Sequence, residues 1–227
     1  MEQDIRTFGR VRGKKLSPRK QRLVDNLLPR LSPVQADSET GNDAVLEIGF
    51  GAGEHLLHLA EKSQSLRIIG AEPFINGIAS LLSRMTQQSL EFRVESLDNI
   101  IKPEYRNIRI WPGDVRNLLT LVNFGFAKIY ILHPDPWPKT RHEKRRLLST
   151  EFLNQLAARL NPKGQIIIGT DHTDYFNWTL GQVKNSKLKI MNKDFFAPPE
   201  PGLDTRYQRK NKFGSEKTMY LVMGKSR

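Results

Sequence analysis

From residue 44 onward, short apolar runs alternate with stretches of helical spacing. AVLEIG (44–49), LRIIGAE (66–72), NIRIWPGD (107–114), AKIYILH (127–133) and QIIIGTD (165–171) read as buried strands. EHLLHLAEK (54–62), a stretch around 75–88, VRNLLTLV (115–122) and TEFLNQLAARL (150–160, ended by Asn161-Pro162) have helical periodicity. A helix near 173–184 and two strands, LKIMNK (188–193) and KTMYLVMG (217–224), complete the pattern. Alternating elements of this kind bury a mostly parallel sheet under helices on both faces. The expected fold is therefore α/β, a doubly wound Rossmann-like sheet with an antiparallel C-terminal strand. Ser17-Pro18 reads as a helix start, with Ser as N-cap and Pro at the first position. RTFGRVRGKK before it has no apolar period and is expected to be a flexible basic arm, and 31–43 a linker. Residues 1–43 thus form an arm, a helix and a linker, and 44–227 the main domain. The stretch 89–106 reads as an extended connection.

Composition narrows the partners. The chain has no cysteine, so disulfides and thiolate chemistry are excluded. No apolar run approaches a membrane span or a signal-peptide core, which points to a cytoplasmic protein. The net charge of +12 is unevenly spread. Residues 1–30 carry nine Lys or Arg against three acids, and 184–227 carry eleven against four. The intervening 153 positions hold sixteen against seventeen, yet five of those cations fall within Lys139–Arg146. Three cationic runs on a near-neutral body favour a polyanion, and the aromatics among them (Phe8, Tyr207, Phe213) suit exposed bases.

The first strand runs into Glu47-Ile48-Gly49-Phe50-Gly51-Ala52-Gly53-Glu54. Glycines at alternate positions allow a tight turn and close approach of a ligand. Position 54 is acidic, which opposes a pyrophosphate at the start of the next helix. The second strand ends in Glu72, suited to a ribose diol, and the third in Asp114, suited to an adenine amine. Glu47 suits a cationic, amino-acid-like tail. Acids at three successive strand ends fit a ligand bearing a sulfonium and an ammonium better than a phosphate-rich one. The constellation resembles the class I S-adenosylmethionine-dependent methyltransferases, which makes S-adenosyl-L-methionine the expected cofactor.

The fourth strand delivers the chain to Pro134-Asp135-Pro136-Trp137-Pro138. Prolines fix φ, so a carboxylate here is aimed at little entropic cost. Together with 44–53, 70–73, 165–171 and 204–208, the run PDPWPKTRHEKRR resembles the bacterial tRNA (guanine-N7-)-methyltransferases. That resemblance implies transfer of a methyl group to N7 of a guanine in the tRNA variable loop. It implies cofactor contacts at Glu47, Glu72, Asp114 and Asp135, beside the loop glycines Gly49, Gly51 and Gly53, with Asp135 as the catalytic carboxylate. It places substrate contacts at Lys139, Asp171 and the segment Thr205, Arg206, Tyr207 and Gln208, and no metal is expected.

Two positions depart from the family pattern. His133 stands where an aromatic is common and reads as a half-buried strand residue. Gln208 stands where Glu is usual and keeps only hydrogen-bonding capacity. Asp171 has two readings, a guanine contact or the N-cap of the following helix. The basic N-terminal arm, the Lys139–Arg146 stripe and the C-terminal basic region are expected to hold tRNA phosphates. Methylation of another RNA base or an exocyclic amine, or RNA binding without catalysis, are the alternatives.

Overall fold

The computed structural model describes residues 7–9, 11–34, 44–87, 96–201, 203 and 217–226. The chain divides into two compact units, residues 1–123 and 124–227. The α/β class is as expected: seven strands, mostly parallel, with an antiparallel C-terminal strand.

In the first unit, α1 (Pro18–Asn26) starts where Ser17 Oγ accepts the Lys20 N–H at 3.4 Å. β1 (Ala44–Ile48), β2 (Arg67–Ala71) and β3 (Ile108–Trp111) run parallel in the order β3-β2-β1. Every residue of β1 and β2 is buried, which explains why both read as continuous apolar runs rather than alternating ones. Between them lie α2 (Glu54–Lys62) and α3 (Ile75–Met85), and α5 (Val115–Leu121) follows β3. Of the stretch 89–106 read as extended, residues 89–95 lie outside the described residues, and 96–106 depart from that reading. Ser96 caps the short helix α4 (Leu97–Ile100), and Pro103–Tyr105 form a 3-10 turn. Capping by Ser96 and the fixed φ of Pro103 at the first position of the turn override the weak periodicity there.

The N-terminal arm also departs from expectation. Its backbone is fixed along the start of α3: Ile75 N–H donates to Val11 O, and Gly13 N–H to Asn76 Oδ1 at 2.8 Å. Asn76 returns a bond to Lys14 O. α1 then packs on α3, and Arg19 and Lys20 donate to Ser83 and Ser80 at 2.9 and 3.0 Å. Two cations of the N-terminal run thus hold the fold together.

In the second unit, β4 (Phe126–Leu132) pairs in parallel with β5 (Leu160–Thr170), and β7 (Met219–Lys225) lies antiparallel between β5 and β6 (Leu188–Ile190). β5 begins at Leu160, earlier than expected, and its Pro162 falls where the pairing register with β4 shifts. Proline is tolerated at such an irregularity because no ladder N–H is required of it. α6 (Thr150–Arg159) buries Phe152, Leu153, Leu156 and Ala157 on one face, and α7 (Thr173–Lys184) follows β5. Truncating a core residue such as Leu156 to alanine costs about 2–5 kcal/mol, a large share of a domain's stability.

Candidate functional site

Two clusters sit at strand ends, one in each unit. In the first unit the glycine loop after β1 has three left-handed residues, Gly49 (φ 74°), Gly51 (φ 58°) and Gly53 (φ 77°). A Cβ at Gly49 or Gly51 would meet nothing within 4 Å, so the loop faces open space there. The N–H groups of the three glycines are spent within the protein. Gly49 donates to Ala71 O at 2.8 Å, Gly53 to Phe50 O at 2.9 Å, and Gly51 to Glu72 Oε2 at 2.8 Å. A phosphate cradle needs such donors aimed outward. This loop offers none of these three, and Glu54 opens α2 with negative charge.

The acids around the loop are mostly buried and already partnered. Glu72 accepts from Gly51 with one oxygen and from Phe74 N–H (2.8 Å) with the other, which ties the loop to the end of β2. Glu47 is buried beside His55 Nδ1 at 3.2 Å. Asp114 caps α5: Oδ1 accepts from Arg116 N and Nε at 2.9 and 2.8 Å, and Oδ2 from Arg116 Nη2 at 2.7 Å. Thr7 Oγ1 adds a fourth bond at 2.9 Å. Burial opposes ionisation of Asp114, but the Arg116 and Thr7 donors outweigh it and hold its pKa below the ordinary aspartate value. Its carboxylate is thus occupied as an N-cap in the free protein. The residues still fit a cofactor of net positive charge, because the cluster presents carboxylates, an open glycine face and spent backbone donors.

Sequence reasoning did not find three supports of this cluster: His55, Arg116 and Gly77. A Cβ on Gly77 would lie 2.2 Å from Gly51 O, so α3 packs directly on the glycine loop. An isolated glycine within a helical pattern is the signal that marks such an approach.

In the second unit, β4 and β5 end side by side, with His133 N–H donating to Gly169 O at 2.7 Å. Two non-glycine residues flank the acid in left-handed conformation, His133 (φ 51°) and Trp137 (φ 44°). Each such residue costs on the order of 1–3 kcal/mol, and such strain collects at functional sites. Asp135 is exposed over much of its surface, yet the protein crowding its carboxyl pushes its pKa above the ordinary aspartate value. Among the described residues no hydrogen bond or ion pair reaches its carboxylate. Asp171, at the end of β5, lies 3.6 Å from His133 Nδ1. Burial lowers the His133 pKa despite the opposing pull of Asp171, which favours the uncharged imidazole. His133 is half-buried as expected, but it lies just past β4 in left-handed conformation and is not a strand residue. The N-cap reading of Asp171 is not what the structure shows: His172 caps α7, its Nδ1 accepting from Tyr175 N–H at 3.3 Å.

The cationic stripe forms a 3-10 helix, Thr140–Arg145. Lys139, Arg141 and Lys144 are exposed, and the half-buried Arg145 places its guanidinium 5.0 Å from the Trp137 ring centre. Arg146 requires a correction. Only 1% of its side chain is exposed, and its guanidinium is bonded to Pro136 O, Trp137 O and Asp174. It is not a phosphate ligand of the stripe, because the side chain runs back beneath the proline loop. Thr205, Arg206, Tyr207 and Gln208 lie outside the described residues.

Among known proteins, a methyltransferase family model (Methyltransf_4) matches residues 42–219. The tRNA (guanine-N(7)-)-methyltransferase of Erythrobacter litoralis is 38% identical over 93% of this chain and 91% of its own. That of Ruegeria sp. is 35% identical over 89% and 81%. Among solved structures, the 16S rRNA methyltransferase KamB aligns with a TM-score of 0.57 at 17% identity, covering 85% of this chain and 92% of KamB. A structure of an antibiotic-related methyltransferase aligns at 0.56 and 15%, covering 94% and 97%. The fold is thus that of the Rossmann-like methyltransferases, and the chain belongs to the tRNA (guanine-N(7)-)-methyltransferase family.

Proposed function

We propose that the protein methylates N7 of a guanine in the variable loop of tRNA, in the cytoplasm, with S-adenosyl-L-methionine as donor. The observation that carries this reading is the division of the acids. Glu47, Glu72 and Asp114 surround a glycine loop with no outward phosphate donors at Gly49, Gly51 or Gly53, while Asp135, on a proline-fixed loop, has no partner among the described residues.

S-adenosyl-L-methionine supplies an electrophilic methyl group on a sulfonium. Glu47 holds the cationic amino-acid end, Glu72 the ribose diol and Asp114 the adenine amine. For that contact Asp114 must share or give up a bond it now makes to Arg116 or Thr7.

Guanine N7 has an in-plane lone pair and no proton. As it attacks the methyl carbon the carbon–sulfur bond breaks, and no general base is required. Positive charge moves onto the guanine, and Asp135 favours that shift as a fixed carboxylate with restricted solvation. Asp171 has two acceptor oxygens for the guanine N1–H and amino group, which makes it the residue that selects the base. Lys139, Arg141 and Lys144 hold flanking phosphates, and such contacts position RNA without reading its sequence. The C-terminal basic region and Thr205–Gln208 extend the same grip.

Incubation with labelled S-adenosyl-L-methionine and unmodified tRNA, followed by nucleoside digestion, tests the reading. N7-methylguanosine is expected. Label in another nucleoside, or none, contradicts it.

A further inference from the structure

The buried Arg146 has no role in the chemistry described above, yet it touches the loop that carries Asp135. The 3-10 helix Thr140–Arg145 turns the chain so that Arg146, bonded through its N–H to Glu143 O, faces back under that loop. Its Nε donates to Pro136 O at 3.0 Å, and Nη2 leans on Trp137 O at 3.5 Å. These carbonyls lie on either side of Trp137 Cα, the residue forced to φ 44°. Nη2 also binds Asp174 Oδ2 at 2.5 Å. The guanidinium carbon sits 5.7 Å from the Tyr175 ring centre and 5.3 Å from that of Trp178, two rings stacked on one another at 14°.

Asp174, Tyr175 and Trp178 all belong to α7, which begins two residues after Asp171. A single buried side chain therefore bridges the Asp135 loop and the helix that follows Asp171. A buried arginine needs its donors answered, and here the answers come from two backbone carbonyls, the Asp174 carboxylate, the Glu143 carboxylate 3.9 Å from Nη1, and aromatic faces. Lysine would keep the charge but not the planar fork that spans carbonyl and carboxylate together.

We propose that Arg146 is a positioning residue for methyl transfer: it clamps the strained peptides after Asp135 to α7 and so holds the Asp135 carboxylate in its reactive placement. The clamp acts on the chemical step, not on RNA binding. A small misplacement of a reacting group is enough to cost about 100-fold in rate. This inference rests on Asp135 being the catalytic carboxylate.

The test is steady-state kinetics of Arg146→Gln and Arg146→Lys with tRNA over a salt series. Arg146→Gln is expected to lower kcat about 100-fold and leave the tRNA KM and its salt dependence unchanged. Arg146→Lys is expected to stay impaired, and full recovery by lysine would overturn the clamp. A raised KM with a flatter salt dependence at normal kcat would also overturn it, by returning Arg146 to phosphate binding. If Arg146→Gln does not fold, Asp174→Asn decides, because it alters only the exposed partner. A several-fold loss of kcat is then expected, and an unchanged kcat overturns the proposal. An Asp135→Ala enzyme that retains turnover would withdraw the reading of Asp135 itself. A dead Asp135→Ala enzyme beside a fully active Arg146→Gln enzyme withdraws only the clamp.

Discussion

The glycine loop after β1 and the proline loop after β4 both present acids at strand ends, but they spend them in opposite ways. In the first, the carboxylates also build the site: Glu72 ties the loop through Gly51 and Phe74, Asp114 caps α5, and Glu47 sits against His55. In the second, an arginine holds the backbone, and among the described residues no partner reaches the acid. Binding tolerates carboxylates that already have donors, because a ligand can take over one of them, as at Asp114, where four donors already fill the carboxylate. Stabilising charge in a transition state asks for a carboxylate free of counterions; among the described residues none reaches Asp135, and the protein around its carboxyl raises its pKa.

The largest effect that would break this contrast is at Asp135. Asp135→Ala is expected to lower kcat by at least about 100-fold with the fold intact, the scale seen when one aligned electrostatic group is removed. Activity should also carry an acid limb set by this group. Its pKa is raised, so the carboxylate is lost on acidification sooner than an ordinary aspartate would be. The kcat/KM profile of the free enzyme should then fall at a pH above the usual aspartate range, and a limb at or below that range contradicts the assignment. The same sign means that protonating Asp135 at low pH relieves a cost in the folded state, whereas protonating Asp114 removes a stabilising contact.

Next in size is Gly77→Ala. Alanine normally favours a helix by up to about 1 kcal/mol over glycine. Here the new Cβ would meet Gly51 O at 2.2 Å. Overpacking of this kind costs about 1–3 kcal/mol, so the clash wins and the glycine loop is displaced. A lower melting temperature together with weaker S-adenosylhomocysteine binding is expected by calorimetry, and unchanged binding would separate α3 from the cofactor loop.

The smallest effects belong to the exposed cations. Neutralising Lys139, Arg141 or Lys144 should raise the tRNA KM and flatten its logarithmic salt slope by about 0.7–0.9 per lost phosphate contact, with kcat unchanged. An unaltered slope for all three would remove the stripe from the RNA-binding surface.

Most of the fold was legible because β1, β2 and the end of β4 are buried on both faces and read as unbroken apolar runs. Residues 97–105 and the start of β5 were not, since capping by Ser96 and a register shift beside Pro162 leave only weak local patterns. The candidate acids were legible from their positions at or just after strand ends. Their partners were not, because Thr7 and Asp114 meet across more than a hundred residues. Arg146 misled for a related reason: a charge run records sign but not the direction in which each side chain points. Asp171 and His172 show the same limit at a single step, since the cap fell to the histidine.

The contrast between the two loops is tested most directly by single-turnover methyl transfer at saturating tRNA and S-adenosyl-L-methionine, with Asp135→Asn and Glu72→Gln measured side by side. Asp135→Asn is predicted to slow the chemical step by about 100-fold or more, while Glu72→Gln weakens S-adenosylhomocysteine binding but keeps a near-native rate at saturation. A near-native rate for Asp135→Asn, with the loss falling on Glu72→Gln instead, would contradict the account.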